Sequence, residues 1–455
     1  MLTDADTHQA DPIRTRKPAR RWADMLAAGT AWLRARLRGA PRPVPPRLPE
    51  AAPLPVPQPK RASKPPAAPA EVFTPTRPRS GKRTLVGRQE ELARILEAVC
   101  DDTAHVVLYA ERGRGKTSLS NLAAEALRRR GVIVARHVCE AESTLDTIMH
   151  ALAADLPASL LAARPLRAEA EGCDALLPDR VLRPADIATL PQGLTAQRIA
   201  FIVDEFDRVT DANTRTRLAD TIKLLSDKGI PLSFVIVGVS STLEDIIGQH
   251  TSIQRNIVPI HLPLLDDHEV AAMIERGGEQ AGIRFSPEAV AMVVAVARGM
   301  PYMAQLLGLR IAQAALVRSR GTVGSEDLLA AVQRLLDETP SHVLAAYSML
   351  TDEGRDTETA TALLRLAEAE QDRWGRLRIS GAPGGVTLGG RHVPAALWLH
   401  LRNASVFVPG GGDPALLQFA DRAMIYYVQL LAARTRVLGE MQHRPPGTTL
   451  QKALP

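Results

Sequence analysis

The chain has 455 residues, 45% of them hydrophobic and 23% charged, the make-up of a soluble globular protein with room for two or three domains. Its net charge of +6 is unevenly placed: residues 1–83 hold 17 Lys/Arg against 6 Asp/Glu, and the rest holds 39 against 44, so the basic character belongs to the N-terminal part. Three scattered cysteines (Cys100, Cys139, Cys173), with no C-x-x-C pair or histidine cluster, argue against a disulfide scaffold or a zinc site and fit a reducing cytoplasm.

In chain order, no apolar core follows the first basic residues, as a secretory signal would require, and no apolar run reaches the ~18 residues of a membrane span. The segment at about 18–39 places Trp22, Met25, Leu26, Gly29, Leu33 and Leu37 near one helical face, flanked by arginines. Such a basic amphipathic helix could lie on an anionic membrane or a partner, or stay disordered until it meets one. Residues 41–78 hold 14 of the 34 prolines and read as a semi-rigid linker or, alternatively, as a ligand for a proline-binding module. Residues 1–83 together are expected to form a disordered, Pro-rich tail.

From Thr84 the pattern changes. A helix with Leu92, Ile95, Leu96 and Val99 inward precedes the apolar run H-V-V-L-Y-A (105–110), which reads as a buried strand. The loop E-R-G-R-G-K-T follows, and then a helix with Leu119, Leu122, Ala123, Ala126 and Leu127 inward that stops at Gly131. Further strands are expected at G-V-I-V-A-R-H-V, R-I-A-F-I-V-D-E-F-D, P-L-S-F-V-I-V-G-V and N-I-V-P-I-H-L, with helices between them; residues 156–197 resist placement. Alternation of this kind implies an α/β fold, a parallel sheet covered by helices on both faces. From Asp266 to about Glu338 the pattern is helical throughout. Residues 341–435 read as helices at 341–350, 358–370 and 391–402, a hairpin over 405–419 with its tip at Gly410–Gly412, and a last helix carrying Met424, Tyr427, Val428 and Leu431.

The stretch from Ala110 to Thr117 resembles the phosphate-binding pattern G-x-x-x-x-G-K-[ST], with Ala110 in place of the first glycine. Gly113 and Gly115 let the main chain curl toward phosphate oxygens, Lys116 reaches the outer phosphates, and the Thr117 hydroxyl suits Mg²⁺. The alternative is a basic surface turn. Asp204 and Glu205 end a neighbouring strand, where α/β sheets bind ligands. Asp204 suits the Mg²⁺ and Glu205 the attacking water, although a solvated strand end would look the same.

With these motifs the chain resembles a P-loop ATPase of the AAA+ type, nearest the origin-recognition-like and STAND ATPases of prokaryotes. The resemblance covers about 84–338 and extends more weakly to 435. It implies a nucleotide-binding α/β domain at 84–265, a helical lid at 266–339, a winged-helix-like domain at 340–435 and a tail at 436–455. It further implies ATP and Mg²⁺ as cofactors, held by Gly87, Arg88, Ala110, Glu111, Arg112, Gly113, Arg114, Gly115, Lys116, Thr117 and Ser118, with Thr117 and Asp204 on the metal. The V-G-R segment holding Gly87 and Arg88 would contact adenine. Catalysis would rest on Lys116, Glu205, a polar sensor at Ser240 or Ser241, and Arg255 as a finger serving a neighbour in a homo-oligomer, or else as a surface arginine. The family's lid arginine after Gly-x-Pro is replaced by Tyr302, which carries no charge and tilts the reading toward a STAND-type switch. Partners would be DNA or a protein, through the winged helix or the basic tail. Residues 341–435 carry nine arginines, no lysines and nine acids, however, and a neutral module is no better suited to DNA than to protein docking.

Overall fold

The computed structural model describes residues 66–77, 86–162, 172–195, 198–240, 251–319, 321–353, 355–410 and 413–443, together with Leu243 and Ile246. The expected helix at 18–39, the expected disorder of the tail up to residue 65, Ser241 and the tip residues Gly411 and Gly412 lie outside the described residues.

A parallel five-stranded sheet forms from β1 (His105–Ala110), β2 (Ile133–Val138), β3 (Ile199–Asp204), β4 (Leu232–Val239) and β5 (Ile257–His261), in the order β2-β3-β4-β1-β5. Alternate residues of each strand serve opposite faces. Val106, Leu108, Ile202, Val235 and Val237 meet Ile95, Leu119 and Leu127 in one cluster, whereas Val107, Phe201, Phe234 and Ile236 meet Ile148 and Leu218 in another. Each such side chain contributes about 1.5–3 kcal/mol on burial, which is why these strands read as near-continuous apolar runs. Short segments fill the stretch the sequence left unplaced, among them a helix at Pro184–Thr189 and turns at Cys173–Leu176 and Leu190–Gly193. These are too short for a helical period to show, yet Leu182, Ile187 and Leu190 are buried in the sheet's core.

Four helices follow: Asp267–Ala281, Pro287–Ala297, Pro301–Val317 and Ser325–Asp337, as the helical pattern predicts. Their core also takes in a segment expected to be linker. Pro69–Val72 is one helical turn, and Val72 and Phe73 beyond it are buried against the helices. Two glycines make the slot, since a Cβ at Gly277 or Gly308 would stand 2.4 or 2.5 Å from the Phe73 ring.

The C-terminal module contains helices Ser341–Leu350, Thr357–Ala367 and Ala395–Asn403 around an antiparallel sheet. Its strands are β6 (Leu377–Ala382), β7 (Gly385–Leu388), β8 (Arg391–Pro394), β9 (Phe407–Pro409) and β10 (Leu416–Phe419), in the order β8-β7-β6-β10-β9. The expected hairpin at 405–419 is present. The expected helix at 391–402 is corrected: Arg391–Pro394 is a strand, because Gly389 and Gly390 (φ +53° and +76°) turn the chain back on β7 and Pro394 starts the helix. The last helix, Arg422–His443, runs into the expected C-terminal tail, and its Val437 is buried in the helical core.

Candidate functional site

A cleft of about 670 Å³ opens at the carboxyl ends of β1, β3 and β4. One wall is the loop Arg112–Ser118 with Asp204, Glu205 and Asp207; the other includes Thr74–Arg77, Met273, Tyr302 and Gln305.

The loop leaves β1 at Ala110, which is buried and extended and has no positive φ, so the methyl group in place of the first glycine sits without strain. Gly113 and Gly115 adopt φ +81° and +90°, the left-handed region a side chain disfavours, and the helix Lys116–Arg129 begins directly after them. Its first amides and its dipole thus face the cleft. Gly113 also admits the helical region closely: the Tyr302 amide donates to its carbonyl at 3.3 Å, and a Cβ on Gly113 would lie 3.2 Å from the Tyr302 Cβ.

Lys116 is 9% exposed, and its Nζ donates to the carbonyls of Ala110 at 2.9 Å and Glu111 at 3.0 Å. Burial brings the ammonium down to about 8, against the opposing pull of Asp207, Asp204 and Glu111. Thr117 and Asp204 line the same cleft. Burial pushes the Asp204 carboxyl up; the Glu205 N–H at 2.9 Å, the Arg136 guanidinium at 3.8 Å and Thr117 pull it down. A hydroxyl, a buried carboxylate and a buried ammonium lining one cleft form a donor set suited to a magnesium-bound phosphate. Among the described residues no group of three or more His, Cys, Asp or Glu is placed to hold a metal by itself. A hard cation here would therefore draw on Thr117, Asp204, water and phosphate.

Glu205 stands at φ +54°, half exposed, with its carboxylate on Arg208 at 3.0 Å. Asp207, which the sequence reading passed over, accepts the Val239 N–H at 2.7 Å and is the first of the acids acting on Lys116. Its signal was the third acid in D-E-F-D. Ser240 is buried one residue beyond the cleft-lining pair Gly238–Val239, with its N–H on the Ala110 carbonyl at 3.2 Å.

Other expected residues make contacts within the protein itself. Arg88 lines the cleft; it is buried and donates to the carbonyls of Pro263 at 2.8 Å and Arg114 at 3.4 Å while pairing with Glu91, so its guanidinium braces the loop. Gly87 (φ +72°) packs against Glu269. Glu111 and Arg114 pair with each other at 2.7 Å and point toward the C-terminal module. Arg255 is 74% exposed and pairs with Asp227 at 3.6 Å. It precedes Ile257, the partner of His105 at the start of β1, and so lies at the amino end of the strands, opposite the end from which the loop leaves. Thr74–Arg77 and Gln305 were missed. Thr74 donates its N–H to the Gln305 Oε1 at 3.1 Å, and the available signal was Phe73, the one aromatic between Trp32 and Tyr109.

Residues 84–236 match the family described as AAA ATPase domain. No curated protein matches the chain. Among solved structures, the Aeropyrum pernix Orc1 protein in complex with DNA is 18% identical, over 82% of this chain and 98% of that one, at a TM-score of 0.42. A Walker-type ATPase of Pyrococcus abyssi is 15% identical over 79% and 99%, at 0.47. The Thermotoga maritima RuvB Holliday junction branch migration motor is 15% identical over 79% and 96%, at 0.40. Phosphate-type loop and acidic strand end both fall within residues 84–236, the part of the chain that matches an AAA ATPase domain.

Proposed function

We propose that the chain is an ATP-binding, slowly hydrolysing AAA+ switch of the STAND kind, whose nucleotide state governs what its C-terminal module or basic tail binds. The observation that carries this reading is the convergence of Lys116, Thr117 and Asp204 on one cleft of ligand size. The amides from Gly113 to Thr117 hold the phosphates, with Arg112 and Ser118 on the rim. Lys116 exchanges its two carbonyl partners for phosphate oxygens, and Thr117 and Asp204 hold Mg²⁺, which neutralises phosphate charge when bound. Glu205 orients the attacking water once it leaves Arg208, with Ser240 as the polar group at the end of β4. Arg255, too far from its own cleft, serves the site of a neighbouring copy. Tyr302 lacks a charge, so the helical lid reads the loop through its amide on Gly113.

Turnover by the purified chain tests this. Wild type hydrolyses ATP, Lys116→Ala neither binds nor hydrolyses it, and Glu205→Gln binds without turnover. A Lys116→Ala protein with wild-type binding and turnover would end the reading.

A second reading, DNA binding through a winged-helix-like C-terminal module, draws on exposed Arg365, Arg391 and His392 bordering a groove of about 300 Å³. It requires a salt-dependent shift of duplex DNA by residues 84–455; a shift that depends on residues 1–83 assigns the affinity to the tail alone. Among the described residues no helix is long and apolar enough to cross a membrane. Peripheral attachment through 18–39 predicts liposome flotation that is lost when residues 1–40 are removed.

A further inference from the structure

Glu111 is held at three points. Its backbone carbonyl accepts the Lys116 ammonium at 3.0 Å, and its side-chain Oε1 accepts from Arg422 at 3.1 Å, a residue 311 positions downstream on the last helix. Its Oε2 pairs with Arg114 at 2.7 Å. Arg114 has no exposed surface and donates to the carbonyls of Leu262 and Trp374, the latter in the C-terminal module. Beside these ion pairs stands a column of three nearly parallel rings. His261 lies 4.7 Å from Tyr109, the residue before the loop, and 4.0 Å from Trp374. Burial holds the His261 imidazole neutral, its pKa brought down to about 4, so the stack carries no charge. The Leu264 N–H closes the contact on the Arg373 carbonyl at 2.8 Å.

A buried guanidinium and the carboxylate between it and a second arginine have a single low-energy arrangement, because breaking one partner leaves charge uncompensated. The side chains of Glu111 and Arg114 thus grasp the C-terminal module while the loop's main chain faces the cleft. We propose that Arg422 is a positioning residue of the phosphate loop, acting through Glu111, so that phosphate binding and seating of the C-terminal module form one coupled equilibrium. This rests on the ATP reading above. The seated module holds the Glu111 main chain in place. Loss of Arg422 lets that main chain wander, and ATP in turn tightens the module against the sheet, since coupling of this kind is reciprocal.

Equilibrium dialysis of full-length protein against labelled Mg-ATP tests this. Arg422→Gln weakens ATP binding by roughly 5–50-fold. Arg422→Lys stays near wild type, because the contact is a single N–H···O bond. In a Glu111→Gln background Arg422→Gln adds no further loss, as a double-mutant cycle requires for residues acting through one contact. An Arg422→Gln protein within twofold of wild type, or an equal loss in both backgrounds, overturns the proposal, the latter by showing a merely structural role. Should Arg422→Gln fail to fold, wild-type hydrogen exchange decides: ATP slows exchange of the Leu264 amide, and unchanged exchange with ATP bound overturns the coupling. A wild type that binds no ATP removes the ATP reading and this proposal together, whereas a wild type that binds beside an unaffected Arg422→Gln removes this proposal alone.

Discussion

Replacing Phe73 by alanine isolates the contribution of a segment that composition assigns to a linker. The ring is 1% exposed and fills a slot floored by Gly277 and Gly308, so neither neighbour has a side chain able to collapse into the space. Truncation of a buried Phe costs about 3–5 kcal/mol, toward the upper end where relaxation is blocked. Val72, buried in the same core, the Ala67 N–H on the Gln280 carbonyl at 2.9 Å and the Thr74 N–H on Gln305 at 3.1 Å fasten the segment beside the ring. At 1.4 kcal/mol per tenfold, undocking becomes at least ~10²-fold more frequent. Hydrogen exchange at the Ala67 and Thr74 amides should speed up by that factor, and a Glu-specific protease should cut after Glu71 sooner. Because Thr74–Arg77 lines the cleft, ATP should also bind more weakly. Unchanged exchange and unchanged proteolysis in Phe73→Ala would refute the claim that this ring anchors the cleft wall.

Burial sets the Lys116 ammonium near 8, so Lys116 is charged below that pH and loses its charge as pH rises through it. ATP binding should therefore weaken between pH 7 and 9 and be accompanied by proton uptake above pH 8. Calorimetry in buffers of different ionisation heat reads that uptake, and none at pH 8.5 would contradict the placement of Lys116. Arg255→Ala should leave ATP affinity within about twofold while lowering turnover by up to ~10³-fold, in a manner that depends on protein concentration; full turnover would return Arg255 to an ordinary surface pair with Asp227. Asp204→Asn should bind ATP with little response to Mg²⁺, where wild type responds strongly, and an unaltered response would place the metal elsewhere.

Much of this architecture was legible because burial on both faces of a parallel sheet leaves a plain record. The runs at 105–110, 199–204 and 232–239 are apolar on every second residue for one face and on the intervening residues for the other. The loop was legible because φ values of +81° and +90° call for glycine at positions 113 and 115. Side-chain direction was not. Nothing in E-R-G-R tells that the Glu111 and Arg114 side chains reach partners 311 and 260 residues away. Likewise Arg88 lies beside the loop and still gives its hydrogen bonds to carbonyls of the protein itself. The error at 391–394 has a local cause: Arg-His-Val-Pro is too short to show strand alternation, and only the preceding Gly389–Gly390 turn marks it.

The central claim is that Lys116, Thr117 and Asp204 share one magnesium-nucleotide site. Titration of wild type and Lys116→Ala with ATP, each with and without Mg²⁺, tests it most directly. The account predicts saturable, Mg²⁺-strengthened binding by wild type and none by Lys116→Ala at the same concentrations. Equal binding by the two proteins, or wild-type binding indifferent to Mg²⁺, would contradict it.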